Sequence, residues 1–190
     1  MNSAIAQTDT NTNMAELLKI ALVGNPILKR KALPVEKIID TNENLIKLID
    51  SLIATATAAK GVGIAAPQVS QSYRLFIVAS HPNQRYPHAP TMPPTAMLNP
   101  RIISHSNEIV KDWEGCLSVP NLRGLVPRYR EIEVEYVTRE GKLERKILTD
   151  FVARIFQHEL DHLDGMIFLD RLESEADLYS ESEYLNIIGQ

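Results

Sequence analysis

The chain has 190 residues and a net charge of −4, with 44% hydrophobic and 23% charged residues. That balance describes one domain with a full core and argues against wholesale disorder; the acidic pI of about 5.7 argues against a broad basic face for nucleic acid. No apolar run reaches the ~18–20 residues of a membrane helix, and the single cysteine, Cys116, excludes an intrachain disulfide and fits a reducing compartment.

Residues 1–15 are rich in Asn, Thr and Ser and lack Lys and Arg. They read as a flexible polar leader, not a signal or transit peptide. Over 42–60, Leu45, Leu48, Ile49, Leu52, Ile53 and Ala56 recur at helical spacing. Asn42 or Asn44 is the expected cap and Gly61 the expected stop. Tyr73–Ala79 reads as a buried strand. Residues 81–94 hold five of the 11 prolines and read as a loop, taken as a surface insertion rather than a shaper of substrate access. Strands are expected at 96–103 and 108–113. Residues 130–137 and 142–149 alternate polar and apolar about Glu140-Gly141, an antiparallel hairpin with one wet face. Residues 150–163 have helical period, with Phe151, Ile155 and Leu163 on one stripe, Asp150 as N-cap and Gly165 as stop. Five acids and no base follow Arg171, which suggests an acidic tail over 173–190, a short helix or partly disordered. Strands followed by a late helix, without regular alternation, give the class α+β.

His158-Glu159-Leu160-Asp161-His162 carries the strongest chemical signal. Residues i and i+4 share a helix face, so both imidazoles can meet one metal ion, and Glu159 can then act as a base on water. The plain alternative is two surface histidines on an acidic helix. A catalytic metal usually has three protein ligands. Glu173 and Glu175 are candidates downstream; the other is Cys116, whose thiolate suits iron, cobalt or zinc. A lone cysteine is otherwise a small buried hydrophobe.

The segment Gly61-Val62-Gly63-Ile64-Ala65-Ala66-Pro67-Gln68 is a poor dinucleotide fingerprint, because a helix precedes it and Ala66 replaces the third glycine. It fits close backbone approach to a ligand, with the Gln68 amide available to an oxyanion, or a tight turn. Glu114 and Arg128 form a candidate ion pair. His81, His88 and His105 read as ordinary surface histidines.

These three segments, in this order, resemble the peptide deformylase family. Gly61–Gln68 matches G-x-G-x-A-A-x-Q, Glu114–Ser118 matches E-G-C-x-S and His158–His162 matches H-E-x-x-H. Trp113, Val119-Pro120, Gln157, Leu163-Asp164-Gly165, Gly24–Leu28 and Pro34-Val35 also look familial, and the likeness spans residues 18–172. The resemblance implies a catalytic domain over 16–172, with sheets packed around a central helix bearing the two histidines. It implies removal of the formyl group from the N-terminal formylmethionine of new proteins. By match, Cys116, His158 and His162 bind one divalent metal, usually Fe2+, with Zn2+, Ni2+ or Co2+ able to substitute. Glu159 becomes general base and then acid. The Leu117 N–H and the Gln68 amide hold the oxyanion; Gly63 binds substrate backbone, and Arg123 lies near the peptide cleft. The partner is a formylated nascent chain, with no nucleic acid and no membrane. Some members dock on the ribosome through a basic C-terminal helix, which this acidic tail does not resemble. The missing targeting segment favours bacterial cytoplasm. A zinc peptidase and a non-catalytic metal module are the competing readings; the Cys116 ligand and an intact Glu159 speak against them.

Overall fold

The structure, a computed structural model, describes residues 15–36, 43–82 and 89–189. Residues 1–14, Asn42 and His88 lie outside the described residues. In chain order the elements are α1 (Glu43–Ala58), β1 (Gly63–Ala65), β2 (Leu75–Ser80), β3 (Met92–His105), β4 (Ile109–Cys116), β5 (Val119–Tyr129), β6 (Glu131–Val137), β7 (Leu143–Thr149), α2 (Asp150–Leu163), β8 (Leu178–Ser180) and α3 (Glu181–Ile188). The class is α+β. One antiparallel sheet has the order β1-β2-β3-β6-β7 and the other β4-β5-β8.

The five-stranded sheet lies between the two long helices. On one face Leu45, Ile49 and Leu52 of α1 pack with Leu75, Ile77 and Leu98. On the other, Phe76, Val78, Met97 and Val134 pack with Ala153 and Phe156 of α2. Successive strand residues point to opposite faces, so β2 is apolar from Leu75 to Ala79 because both its faces are covered. Phe76 and Phe156 meet edge to face at 5.1 Å. This burial makes α2 a central helix whose turns from Ala153 to Glu159 are almost wholly buried.

Several boundaries differ from the sequence reading. Asn44 lies inside α1, at its second residue, and not at the N-cap position. The helix closes at Lys60, which takes φ +54°, and the Gly61 N–H donates to Ala56 O at 2.9 Å. Strand β3 begins at Met92, within the expected proline loop. Pro93 and Pro94 fit there because the β2–β3 register shifts between Val78 and Ser80, where the ladder asks no N–H of them. Strand β5 was not anticipated, since Pro120, Gly124 and Pro127 break its pattern. The hairpin of β6 and β7 forms as expected, with Glu131 opposite Thr149, but its polar face is not all wet. Glu135 is buried between Arg101 and Arg145. Asp150 does not cap α2. It sits at φ +49°, and its carboxylate accepts from Arg130 Nε at 2.9 Å instead.

The acidic segment is ordered and seated. Lys111 pairs with Asp177 at 2.8 Å and Glu173 at 3.1 Å. Strand β8 then pairs with β5, and Ser180 caps α3 through reciprocal bonds with Glu183.

Candidate active site

Helix α2 brings Arg154, His158, Asp161 and His162 to one side, at spacings of four, seven and eight residues. The turn between β4 and β5 brings Cys116 against them. The ligand atoms of Cys116, His158 and His162 all lie within 4.8 Å of one another. Cys116 Sγ is 3.2 Å from His162 Nε2. His158 donates from Nδ1 to Glu114 Oε2 at 2.8 Å, which turns Nε2 toward the cluster. Burial opposes ionisation of the Cys116 thiol, but His162 and His158 beside it prevail and draw it well below its ordinary range.

Glu114 anchors a buried ionic network. It accepts from Arg128 at 2.8 and 3.0 Å and from Arg154 at 2.9 Å. Arg128 also reaches Asp161 at 2.6 Å, and Asp161 accepts from Arg171 at 2.6 and 3.0 Å. Every group in this network is paired, the condition under which buried charge is tolerated. The candidate pair of Glu114 and Arg128 is therefore real and buried, and it fixes the orientation of His158.

Gln68 sits on a short helical turn after β1. Its Oε1 accepts from the Ala65 N–H at 2.8 Å. That bond aims Nε2 at Cys116 Sγ, 3.4 Å away, and at Ser118 Oγ, 3.1 Å away. Glu159 is 4% exposed, and its Oε2 has no partner among the described residues. Burial pushes its carboxyl up to about 7, against the pull of His158 and His162. Gly63 lies against it.

These groups open on a cavity of about 320 Å³, lined by Gly63, Gln68, Leu117, Arg123, His158 and Glu159 among others. Glu159, Gln68, Leu117, Gly63, Arg123, Cys116 and His158 all line this cavity, and His162 adjoins it through Cys116. Glu173 and Glu175 do not reach it; Glu173 is held by Lys111. His105 stacks on Tyr129 with ring centres 3.6 Å apart, away from the cluster. The sequence reading missed the partners of Glu114 on α2. Arg154 and His158, four residues apart on a helix that already carried the motif, were the available signal.

A soft thiolate with two imidazoles, one with its tautomer set by a carboxylate, suits a divalent transition metal. Three donors, two of them on the cavity lining, beside a carboxylate oxygen that has no partner among the described residues, suit an open site rather than the closed four-ligand site of a structural metal.

The chain is similar to known proteins along most of its length. A family model described as polypeptide deformylase matches residues 17–177. Peptide deformylase 2 of Nostoc sp. is 62% identical over 173 residues, covering 91% of this chain and 96% of that protein. Peptide deformylase 2 of Shewanella oneidensis is 48% identical over 154 residues, 81% of this chain and 83% of that protein. Among solved structures, a Met-Ala-Ser-bound class I type b peptide deformylase from Acinetobacter baumannii superposes with a TM-score of 0.81 at 45% identity, over 84% of this chain and 100% of that one. The peptide deformylase of Thermotoga maritima gives 0.74 at 35% identity, over 84% and 99%.

Proposed function

This chain belongs to the polypeptide deformylase family, metal-dependent hydrolases that remove the formyl group from the N-terminus of new proteins, and we propose that it does so with Cys116, His158 and His162 as metal ligands and Glu159 as the proton carrier. The observation that carries this assignment is the buried Glu159 carboxylate, whose Oε2 has no partner among the described residues, beside the Cys-His-His donor set. When bound, the metal supplies a Lewis acid that polarises the formyl carbonyl and acidifies water. Fe2+ is the proposed ion, with Zn2+, Ni2+ or Co2+ as substitutes.

The remaining work falls to the protein. Gln68 Nε2, aimed by the bond from the Ala65 N–H to its Oε1, donates with the Leu117 N–H to the oxygen on which charge develops. Glu159 takes the proton of the attacking water as the new C–O bond forms. It then gives that proton to the amine nitrogen as the C–N bond breaks, leaving formate and a free N-terminus. A carboxyl held near 7 is suited to both roles near neutral pH. Gly63 holds the peptide backbone and Arg123 flanks the cleft. The substrate is a formylated nascent chain, in bacterial cytoplasm. Residues 16–172 form the catalytic domain, and the acidic 173–190 segment offers no basic surface for ribosomal RNA.

Metal content and amine release, measured together on protein purified without oxygen, test the assignment. Glu159→Ala should keep the metal and lose nearly all turnover, and Cys116→Ala should lose both. Full turnover in Glu159→Ala, or full metal occupancy in Cys116→Ala, overturns it.

A further inference from the structure

The family model ends at residue 177, but the wall of the cavity does not. Strand β8 sets Tyr179 opposite Arg123 on β5, and α3 then opens with Glu181 on the cavity lining. Arg123 is 6% exposed. Its Nη2 donates to Glu181 Oε1 at 2.9 Å and lies 2.8 Å from Oε2. The guanidinium stands over the Tyr184 ring, 5.4 Å from its centre. Gly115 gives it room, since a Cβ there would overlap the guanidinium. Arg123 Nε is buried and has no partner among the described residues.

Glu181 is not a loose surface acid. Its side chain is 28% exposed, the capping box of Ser180 and Glu183 fixes the start of its helix, and Tyr179 and Tyr184 rest on Trp113 at 4.9 and 5.0 Å. A free guanidinium on the wall of a peptide cleft is a receptor for carboxylates. Here that receptor is already engaged. The other arginine of the lining, Arg154, is bound by Glu114.

We propose that Glu181 is a specificity-determining residue: by holding Arg123, it withholds the guanidinium from acidic side chains that follow the formylmethionine. This inference rests on the cavity being the deformylase cleft. It assigns the C-terminal segment a part in substrate choice through a residue beyond the span of the family model.

The test is kcat/KM of the full chain for formyl-Met-Ala-Ser-amide and for peptides with Glu or Lys in place of Ala or of Ser. The wild type should gain nothing from an acidic residue over alanine. Glu181→Gln should raise the acid-to-base ratio about tenfold at one of the two positions, through KM, and the gain should shrink at high salt, as expected of one partly screened charge. The shift is expected even if α3 loosens, because Arg123 loses its carboxylate either way. Glu181→Asp should restore the wild-type ratio. An unchanged ratio in Glu181→Gln, an equal loss on all peptides, or a wild type that already prefers acidic residues overturns the inference. The wild-type measurement stands even if Glu181→Gln fails to fold. No turnover of the neutral peptide by the wild type would sink the deformylase reading itself; normal turnover with an unchanged ratio sinks only the part given to Glu181.

Discussion

Gly63 and Glu159 are in contact so close that a Cβ on Gly63 would lie 2.8 Å from Cδ of the glutamate. The first motif of the sequence therefore shapes the place of the base in the third, 96 positions later in the chain. Gly63→Ala should leave the fold intact, because the clash falls on the end of a side chain that can turn away. It should lower turnover by about 100-fold or more, since a reacting group displaced by ~1 Å loses that much. Melting curves and amine release on the same preparation check this. Near wild-type turnover would mean that Glu159 has slack in its position.

Glu114 is the pivot of the buried charges. Replacing it with alanine leaves Arg128 and Arg154 without their shared carboxylate. Breaking such a buried pair costs about 3–5 kcal/mol. The same change frees the His158 ring, and loss of such a support weakens metal affinity by roughly 10–100-fold. Denaturant unfolding and metal titration should show both effects in Glu114→Ala. Unchanged metal affinity would mean that the helix alone orients His158.

The fold was legible where periodicity was clean. The stripe Leu45–Ala56, the apolar run of β2 and the alternation of 130–137 each state which faces are covered. It was illegible where tertiary pairing overrode local chemistry. Pro93, Pro94, Pro120 and Pro127 all lie in strands, tolerated by register and by the neighbouring chain. The gathering of Cys116 with His158 and His162 was readable because two of the three share a helix face. The contact of Arg123 with Glu181 was not, since 58 positions and a strand pairing separate them. The capping box at Ser180 and Glu183, which the sequence reading did not use, starts α3.

Gln68 has two tasks. Gln68→Ala should lower kcat by about 10²–10³-fold if its amide donates to the oxyanion. It also leaves the buried Ala65 N–H without its acceptor, a loss of ~1–3 kcal/mol. Steady-state kinetics and thermal unfolding separate the two. A fall in stability with kcat unchanged would confine Gln68 to bracing the turn.

Acid stability should register Glu135. Hydrogen bonds from Arg145 and Arg101 hold its carboxyl below its ordinary value of 4.5. A depressed carboxyl stabilises the fold above the unfolded value, and that support is lost as pH falls below it toward the folded value. The melting temperature of the wild type should therefore drop more steeply than that of Glu135→Gln below about pH 4.5. Parallel curves would mean that the two arginines confer no net stability through this site.

The most direct test of the account is release of primary amine from formyl-Met-Ala-Ser by protein purified and loaded with iron in the absence of oxygen, beside the acetylated peptide. Rapid release from the formyl peptide alone is expected, because the formyl carbon carries hydrogen where the acetyl carbon carries a methyl group. No release from protein of confirmed metal content, or equal release from the acetyl peptide, would contradict it.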